Sequence, residues 1–528
     1  MIQKIEVGNV SMPLNSSLIN GAQSLFGVKT ELKFGRTTVT GVFSEQRSQS
    51  RSVTAQGGGT INEFEILALD YDEDRHFFLS QYFRDQYDQA LENYPFIRSQ
   101  VQITRIEVWV TNRAQRTDNV RNLVALQDLG EPEPANTRIN QNAPPGFFGT
   151  INNLPRNASN AYDPFNIGGA GSALTESIRD IATVQQGFNV AGYNPSQGFD
   201  YSILENARKL EPNREYTVDT QLGYISLNQR LSNDEVLAVA FQYTYQGEVY
   251  QVGEFANDGV NATEFEETNG VVTQVNPQAL VLKMLKSNIT NVSDPIWDLM
   301  MKNFYSTGAY QLSQEDFRMN ILYTDPSPIN YITPVDDATW PQGLEDRILL
   351  DVFNFDRLNV YNDPQNGGDG FFDFLPGVTV DVQNGLIKFT KVEPFGEFLY
   401  DVLGGGNNYD DPNFTPNNDN QAQYVYRNMY KLTKAASLES AEKNKFMLKG
   451  RYKAESSGGI PLGAFNVPRG SVRVTAGGRV LQEGIDYTVN YQAGTVQILD
   501  EGLRASNVPI EVSVENNAVF GQQTRRFS

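Results

Sequence analysis

Cysteine is absent from this 528-residue sequence, and histidine occurs once, at His76. Together these gaps exclude disulfide scaffolds, thiolate zinc sites, cysteine nucleophiles and any metal centre built on several imidazoles. No stretch approaches the ~18 consecutive apolar residues of a membrane-spanning helix, and the opening MIQKIEVGNVSMPLN lacks the apolar core of a signal peptide. That shortage does not exclude a membrane β-strand, whose mark is period-two alternation. Positive charge is scarce: 42 Lys and Arg face 63 Asp and Glu, a net charge of −21. Phosphate backbones are repelled, and nucleic acid is not an expected partner. Apolar residues make up 39% and charged residues only 20%, the balance of a chain that folds rather than one that stays disordered. Its length predicts several folding units.

Near the start, Phe26, Val28, Thr30, Leu32 and Phe34 alternate with Gly27, Lys29, Glu31 and Lys33. The pattern predicts a two-faced strand, a turn at Gly35-Arg36 and a return strand over 37–45 with Val39, Gly41 and Phe43 on one face. A polar run then leads to Gly57-Gly58-Gly59. Phe26, Val28, Leu32, Phe34, Val39 and Phe43 are the candidate membrane-facing side chains; an ordinary hairpin on a soluble core is the alternative, since alternation does not distinguish lipid from core. At the other end, Ile510, Val512 and Val514 alternate with Glu511, Ser513 and Glu515, predicting a strand towards the C-terminus. Two or three such strands do not close a membrane barrel, for which about eight are needed.

Leu79, Phe83, Tyr87 and Leu91 fall at helical spacing and predict an amphipathic helix over 75–93. A strand over 101–112 follows, with a bulge between Ile103 and Ile106. The Pro-, Asn- and Gly-dense residues 131–171 predict a long surface loop, and Ser172 then opens a short helix carrying Leu174, Ile178, Ile181 and Gln185, with Glu176 near its N-terminus. One motif occurs three times without gaps: EYTVDTQLGYISL from Glu215, GVTVDVQNGLIKF from Gly377 and DYTVNYQAGTVQI from Asp486. In each, Thr217, Thr379 or Thr488 is followed six residues later by Gly223, Gly385 or Gly494. The grammar is strand, tight turn on a glycine, return strand. Residues 470–516 predict a small antiparallel sandwich, and the irregular spacing of the copies argues against a solenoid. The fold class expected is mainly β with some α. The expected segments are a hairpin at 1–60, a helix-strand module at 61–130, loop and helix at 131–200, a first β-module at 201–256, a mixed region at 257–376, a second β-module with a helical segment at 377–469, and a sandwich with a return strand at 470–528.

Chemistry is thinly represented. No G-x-S-x-G elbow accompanies His76, and neither a phosphate-binding loop nor a G-x-G-x-x-G opening a βαβ unit is present, so no enzyme is expected. Acidic neighbours such as Glu266-Glu267, Asp336-Asp337 and Asp410-Asp411 are chance pairs in so acidic a chain. The best metal candidate is NDPQNGGDGFFDF over 362–374, where Asp363, Asn366, Asp369 and Asp373 offer hard oxygens to calcium around flexible glycines. Its spacing is not that of an EF-hand, and an Asx- and Gly-rich turn is the competing reading. Lys443, Lys445, Lys449, Arg451 and Lys453 predict a solvated basic face, open to an anionic partner; Tyr424, Tyr426 and Tyr430 predict core.

Several stretches taken together resemble one family. IEVGNVSMPLNSSLINGAQSLFGVKTELKFG, SVTAQGGG, HFFLSQYFRDQYDQAL, ITRIEVWVTN, NGGDGFFDFLPG and the closing IEVSVENNAVFGQQTRRF are similar to the SprA/Sov family, the outer-membrane translocon of the type IX secretion system in the Bacteroidota. The resemblance touches both ends and several interior segments. It implies a very large outer-membrane β-barrel that passes folded cargo proteins to the cell surface and supports gliding motility in some relatives. It also implies a barrel partner at a lateral opening and a periplasmic plug protein. The family's chain is several times longer, so the resemblance implies a segment of such a protein. Residues 20–46 and the strand after Ile510 become barrel strands in contact with outer-membrane lipid. They flank a large α+β insertion with small sandwich modules, expected outside the cell as a cap over the pore. A surface adhesin or glycan-binding protein of several β-modules is the alternative.

Overall fold

The computed structural model describes residues 2–10, 25–34, 37–44, 48–56, 59–132, 146–149, 154–189, 194–268, 271–309, 311–336, 338–345, 347–455, 460–462, 467, 471–491, 494–500, 502–503 and 508–517. They fall into two units: residues 1–63, 315–317 and 451–528 form one, and residues 64–314 and 318–450 the other.

In the first unit, β1 (Ile2–Val10), β2 (Leu25–Phe34) and β3 (Thr37–Ser44) make a three-stranded antiparallel sheet in that order. The hairpin expected from alternation is therefore present, with β1 added on its far side. The polar run before the glycines is a strand. It forms β4 (Ser48–Gln56), which pairs with the start of β5 (Gly59–Leu67) through Thr54↔Ile61 and Ala55↔Thr60. A sequence such as SQSRSVTAQ carries little apolar alternation; a ladder along both edges holds it extended instead.

The second unit begins with a correction. Residues 75–93 are not one helix: β6 (His76–Phe78) precedes α1 (Gln81–Leu91). The apolar stripe is right, since Leu79, Phe83, Tyr87 and Leu91 are all buried. His76, Phe77 and Phe78 are buried too, and they bury as strand residues because a partner strand lies ready for them. The chain continues through β7 (Val101–Val110), β8 (Val120–Leu126), β9 (Tyr201–Lys209), the first motif hairpin β10 (Tyr216–Asp219) and β11 (Tyr224–Leu227), β12 (Leu237–Tyr245), β13 (Glu248–Val252), the hairpin β14 (Thr263–Thr268) and β15 (Val271–Pro277), and β16 (Leu280–Lys286). Five of these close a ring. β12 pairs with β7 from Leu237↔Val110 to Tyr245↔Val101, and with β16 at its start. β16 runs parallel to β8, β8 pairs with β9, and β9 returns to β7 at Val110↔Arg208. Closure removes the free edges of these strands, and Leu123, Val239, Phe241, Leu282 and Met284 belong to its fully buried core. Between Gln242↔Arg105 and Tyr243↔Ile103 the register slips by one residue at Thr104, the bulge expected between Ile103 and Ile106.

The helix expected after Ser172 is also corrected. Two 3₁₀ turns, Glu176–Arg179 and Val184–Gly187, stand there, closed by a bridge between Leu174 and Phe188. Thr183 Oγ1 donates to the Ser177 carbonyl (2.9 Å) and the Ala182 N–H to Asp180 Oδ1 (2.9 Å), side-chain bonds that divert the backbone from a helical ladder. The loop expected over 131–171 lies partly outside the described residues; from 154 onwards it is built of short 3₁₀ turns.

The rest of this unit contains β17 (Phe304–Ser306), β18 (Arg318–Tyr323), the second motif hairpin β19 (Val380–Asp381) and β20 (Leu386–Lys388), and β21 (Phe446–Glu455), which leads back to the first unit. There β22 (Ile460–Pro461), β23 (Val472–Ala476), β24 (Arg479–Val480), the third motif hairpin β25 (Tyr487–Asn490) and β26 (Thr495–Ile498), and β27 (Ile510–Asn517) complete the chain. The three-stranded sheet β22-β26-β25 and the strands β23 and β27 of a larger sheet share one core of Leu462, Val474, Val496 and Val512. All three copies of the motif are antiparallel hairpins, and Gly223, Gly385 and Gly494 take φ of 66°, 65° and 64°. One left-handed residue at one place in each turn explains why glycine is spaced alike in all three.

Candidate functional site

The terminal strands are the first candidate. Register places Val28 opposite Phe43 and Leu32 opposite Val39, so these candidate membrane-facing positions share one face of the β2–β3 hairpin. Phe26 and Phe34 stand on β2 in phase with them. The two ends of the chain also meet within this unit. β27 pairs antiparallel with β4 over eight positions, from Ile510↔Ala55 to Asn517↔Ser48, and with β23 on its other edge.

The second candidate is the acidic loop. Its carboxylates are used to build turns. Asp373 Oδ2 accepts from the Tyr94 hydroxyl (2.8 Å) and from the N–H groups of Arg357 (2.7 Å) and Leu358 (3.1 Å). Burial pushes this carboxyl up to about 6 against the pull of those bonds. Asp369 Oδ1 accepts from the Phe371 N–H, and Asp363 is held through its own N–H on Asn359 Oδ1. The residue that organises the loop was missed in the sequence: Asp356, whose two oxygens accept from the N–H groups of Asp369 (2.7 Å) and Gly370 (2.9 Å). A Cβ on Gly368 would overlap that carboxylate, which is why a glycine stands there at φ 63°. Asn366 has a place in the same turn, and among the described residues no three His, Cys, Asp or Glu side chains group as metal ligands.

The only histidine sits in a row of polar groups. His76 Nδ1 is 2.8 Å from Ser226 Oγ, and Nε2 is 3.2 Å from Asp72 Oδ2, while the ring stacks on Phe304 at 3.9 Å. Burial lowers its pKa, partly offset by Asp72, so the ring is held towards its neutral form. The row has the composition of a catalytic triad, but Ser226 lies inside a ladder, opposite Thr217 on one side and His76 on the other. Backbone N–H groups there are engaged in strand pairing rather than free to form an oxyanion hole. The row satisfies a buried imidazole.

Buried charge is concentrated at three further places. Glu393 accepts from Arg84 (2.8 Å) and from the Tyr409 hydroxyl (2.6 Å); burial alone would raise its pKa, but Lys431 and Arg84 hold it below the ordinary value. Arg179 forks onto Glu254, whose Oε2 also accepts from the Val281 N–H at 2.8 Å. Lys283 meets Glu131 at 2.9 Å with both side chains 2% exposed. These pairs join segments far apart in sequence and no local pattern marks them. In the basic stretch Lys445 pairs with Asp325, Lys449 with Glu65 and Lys453 with Glu315, the Lys443 ammonium donates to the Ala422 carbonyl, and Arg451 is exposed. Tyr424, Tyr426 and Tyr430 are core, as expected. No helix among the described residues is long and apolar enough to cross a membrane.

Residues 1–251 match a family model described as a motility related/secretion protein, SprA_N. The match spans β1 to β13, and it makes this a secretion- and motility-related chain. Over these residues the chain is similar to the SprA/Sov family to which the sequence resemblance points. No curated protein matches it.

Proposed function

We propose that the chain is a segment of an outer-membrane protein-conducting channel that exports folded proteins to the cell surface. The terminal strands contribute to the barrel wall, facing outer-membrane lipid, and the residues between them act as an extracellular cap over the pore. The observation that carries this reading is the pairing of β4 with β27. Strands near the two ends of the chain are immediate neighbours, so between 57 and 509 the chain leaves one sheet and returns to it, with β5 and β23 joining that sheet on the way. Outer-membrane barrels carry such long excursions on the outer side, with short turns on the periplasmic side. The sheet β1-β2-β3 supports the reading as well, since β1 and β3 have no further ladder partner among the described residues. In a barrel those edges continue into neighbouring strands. On this reading a second barrel at the lateral opening, a periplasmic plug and the secreted cargo are the partners.

These 528 residues hold no cysteine of their own to compete with an introduced one. Single cysteines replace Asn166 and Tyr361, both exposed, in the full-length parent protein in intact cells, which are treated with a membrane-impermeant maleimide. Labelling without lysis is the expected result. Labelling of both sites only after the outer membrane is opened would place the excursion inside and end the cap reading.

A further inference from the structure

Beside α1 lies a cleft of about 330 Å³, within the range usual for small-ligand sites. Its floor is apolar and buried, made by Phe83, Tyr87, Ala90 and Leu222. Its walls are of another kind. Gln86 and Gln89 come from α1, Gln100 from the residue before β7, and Gln221 from the turn of the first motif hairpin. Tyr82 and Tyr245 stand beside these four amides, with Arg98 and Ser99 at the same wall. Among the described residues no carboxylate lines the cleft, in a chain with 63 of them.

Placement follows from the fold. Gln86 and Gln89 are three apart on α1, directly before the buried Tyr87 and Ala90, so packing of the apolar stripe fixes where the amides stand. Gln221 is fixed by its turn: its N–H and that of Leu222 donate to Asp219 Oδ1 at 3.1 and 2.9 Å. Gly223 in that turn approaches the Phe83 ring so closely that a Cβ would overlap it, which locks the turn against the helix. The amides of Gln86, Gln89 and Gln221 are exposed and make no hydrogen bond among the described residues.

Each primary amide presents a donor and an acceptor side by side, the complement of a pair of adjacent hydroxyls. Tyrosine adds a hydroxyl and a flat ring against which the C–H face of a pyranose packs. A peptide held by strand addition would need an open strand edge, and none borders the cleft among the described residues. β7 is paired with β12 as far as Val101↔Tyr245, and on its other side the Ile103 N–H donates to the Thr220 carbonyl at 2.8 Å. We propose that this cleft binds an oligosaccharide, neutral or acidic, through the amides of Gln86, Gln89 and Gln221 and the rings of Tyr82 and Tyr245. Arg98 admits an acidic sugar, and the lack of carboxylates leaves nothing to hold a cationic one. The proposal does not depend on the channel reading.

The test uses the full chain and titration calorimetry against cellohexaose, maltohexaose, mannohexaose and hexagalacturonate, with a Gly-Ala hexapeptide as the peptide probe. At least one hexasaccharide is expected to bind. Its affinity falls about tenfold in the double variant Gln86→Ala/Gln89→Ala and in Tyr82→Ala, and is unchanged in Tyr361→Ala. The glutamine variant alters exposed side chains only, so it keeps the test sound if Tyr82→Ala proves poorly folded. Binding of no hexasaccharide, or binding indifferent to the glutamine variant, overturns the proposal. Binding of the hexapeptide alone makes the cleft a peptide groove and overturns it equally.

Discussion

Replacing Lys283 by methionine tests how the closed five-stranded ring is tied to α1. Lys283 sits on β16 and Glu131 just beyond β8, and their charged atoms are 2.9 Å apart with each side chain 2% exposed. The same Glu131 oxygen accepts from the Gln81 N–H at the start of α1 (2.9 Å), and the Lys283 ammonium also donates to the Gln127 carbonyl. Methionine fills much of the lysine stem but leaves the buried carboxylate with one backbone donor and no counter-charge. Breaking a buried pair by removing one partner costs about 3–5 kcal/mol. Against a typical stability of about 5–15 kcal/mol that is a large fraction. In Lys283→Met/Glu131→Gln the charge is gone while an oxygen remains for Gln81, and stability should return to within about 1 kcal/mol of the parent. Urea titration followed by far-UV circular dichroism, with all three chains at one pH, measures both differences. A loss of less than about 1 kcal/mol in the single variant, or a double variant as unstable as the single, would refute the reasoning.

Three more outcomes follow from the geometry. Gly223→Ala should destabilise by about 2–4 kcal/mol, combining a left-handed φ of 66° with overlap on Phe83, and thermal melts should show the larger loss there than in Gly247→Ala, whose Cβ meets nothing within 4 Å. Asp373, raised to about 6, keeps in the folded state a proton that the unfolded chain has already released between about pH 4 and 6. Its contribution therefore weakens as pH rises through that window, and the parent should gain about 1 kcal/mol relative to Asp373→Asn between pH 7 and pH 5; equal pH slopes in the two chains count against it. Calcium added to chelator-treated chain should leave the melting temperature unchanged, because the Asp356 and Asp373 oxygens already accept backbone N–H groups. A rise that disappears in Asp369→Ala would show the loop to be a cation site.

Local order was legible wherever one short segment decides it. Period-two alternation marked β2, β3, β7 and β27, down to the bulge at Thr104, because side chains on a pleated strand alternate faces whatever lies beyond them. Glycine spacing marked the three motif hairpins, because the turn needs one residue at φ near 65° and glycine reaches it without strain. The stripe on α1 was equally plain. What stayed hidden depends on partners distant in sequence. The polar segment of β4 is a strand because β5 and β27 flank it, and His76 to Phe78 are a strand because β11 accepts them. Closure of the ring, the meeting of Lys283 with Glu131, and the gathering of four glutamines and two tyrosines beside α1 are likewise tertiary decisions. Periodicity reports which face of an element is apolar. Only the packing of the whole chain decides which faces meet, and so which charges lose their water and which polar groups are left open at the surface.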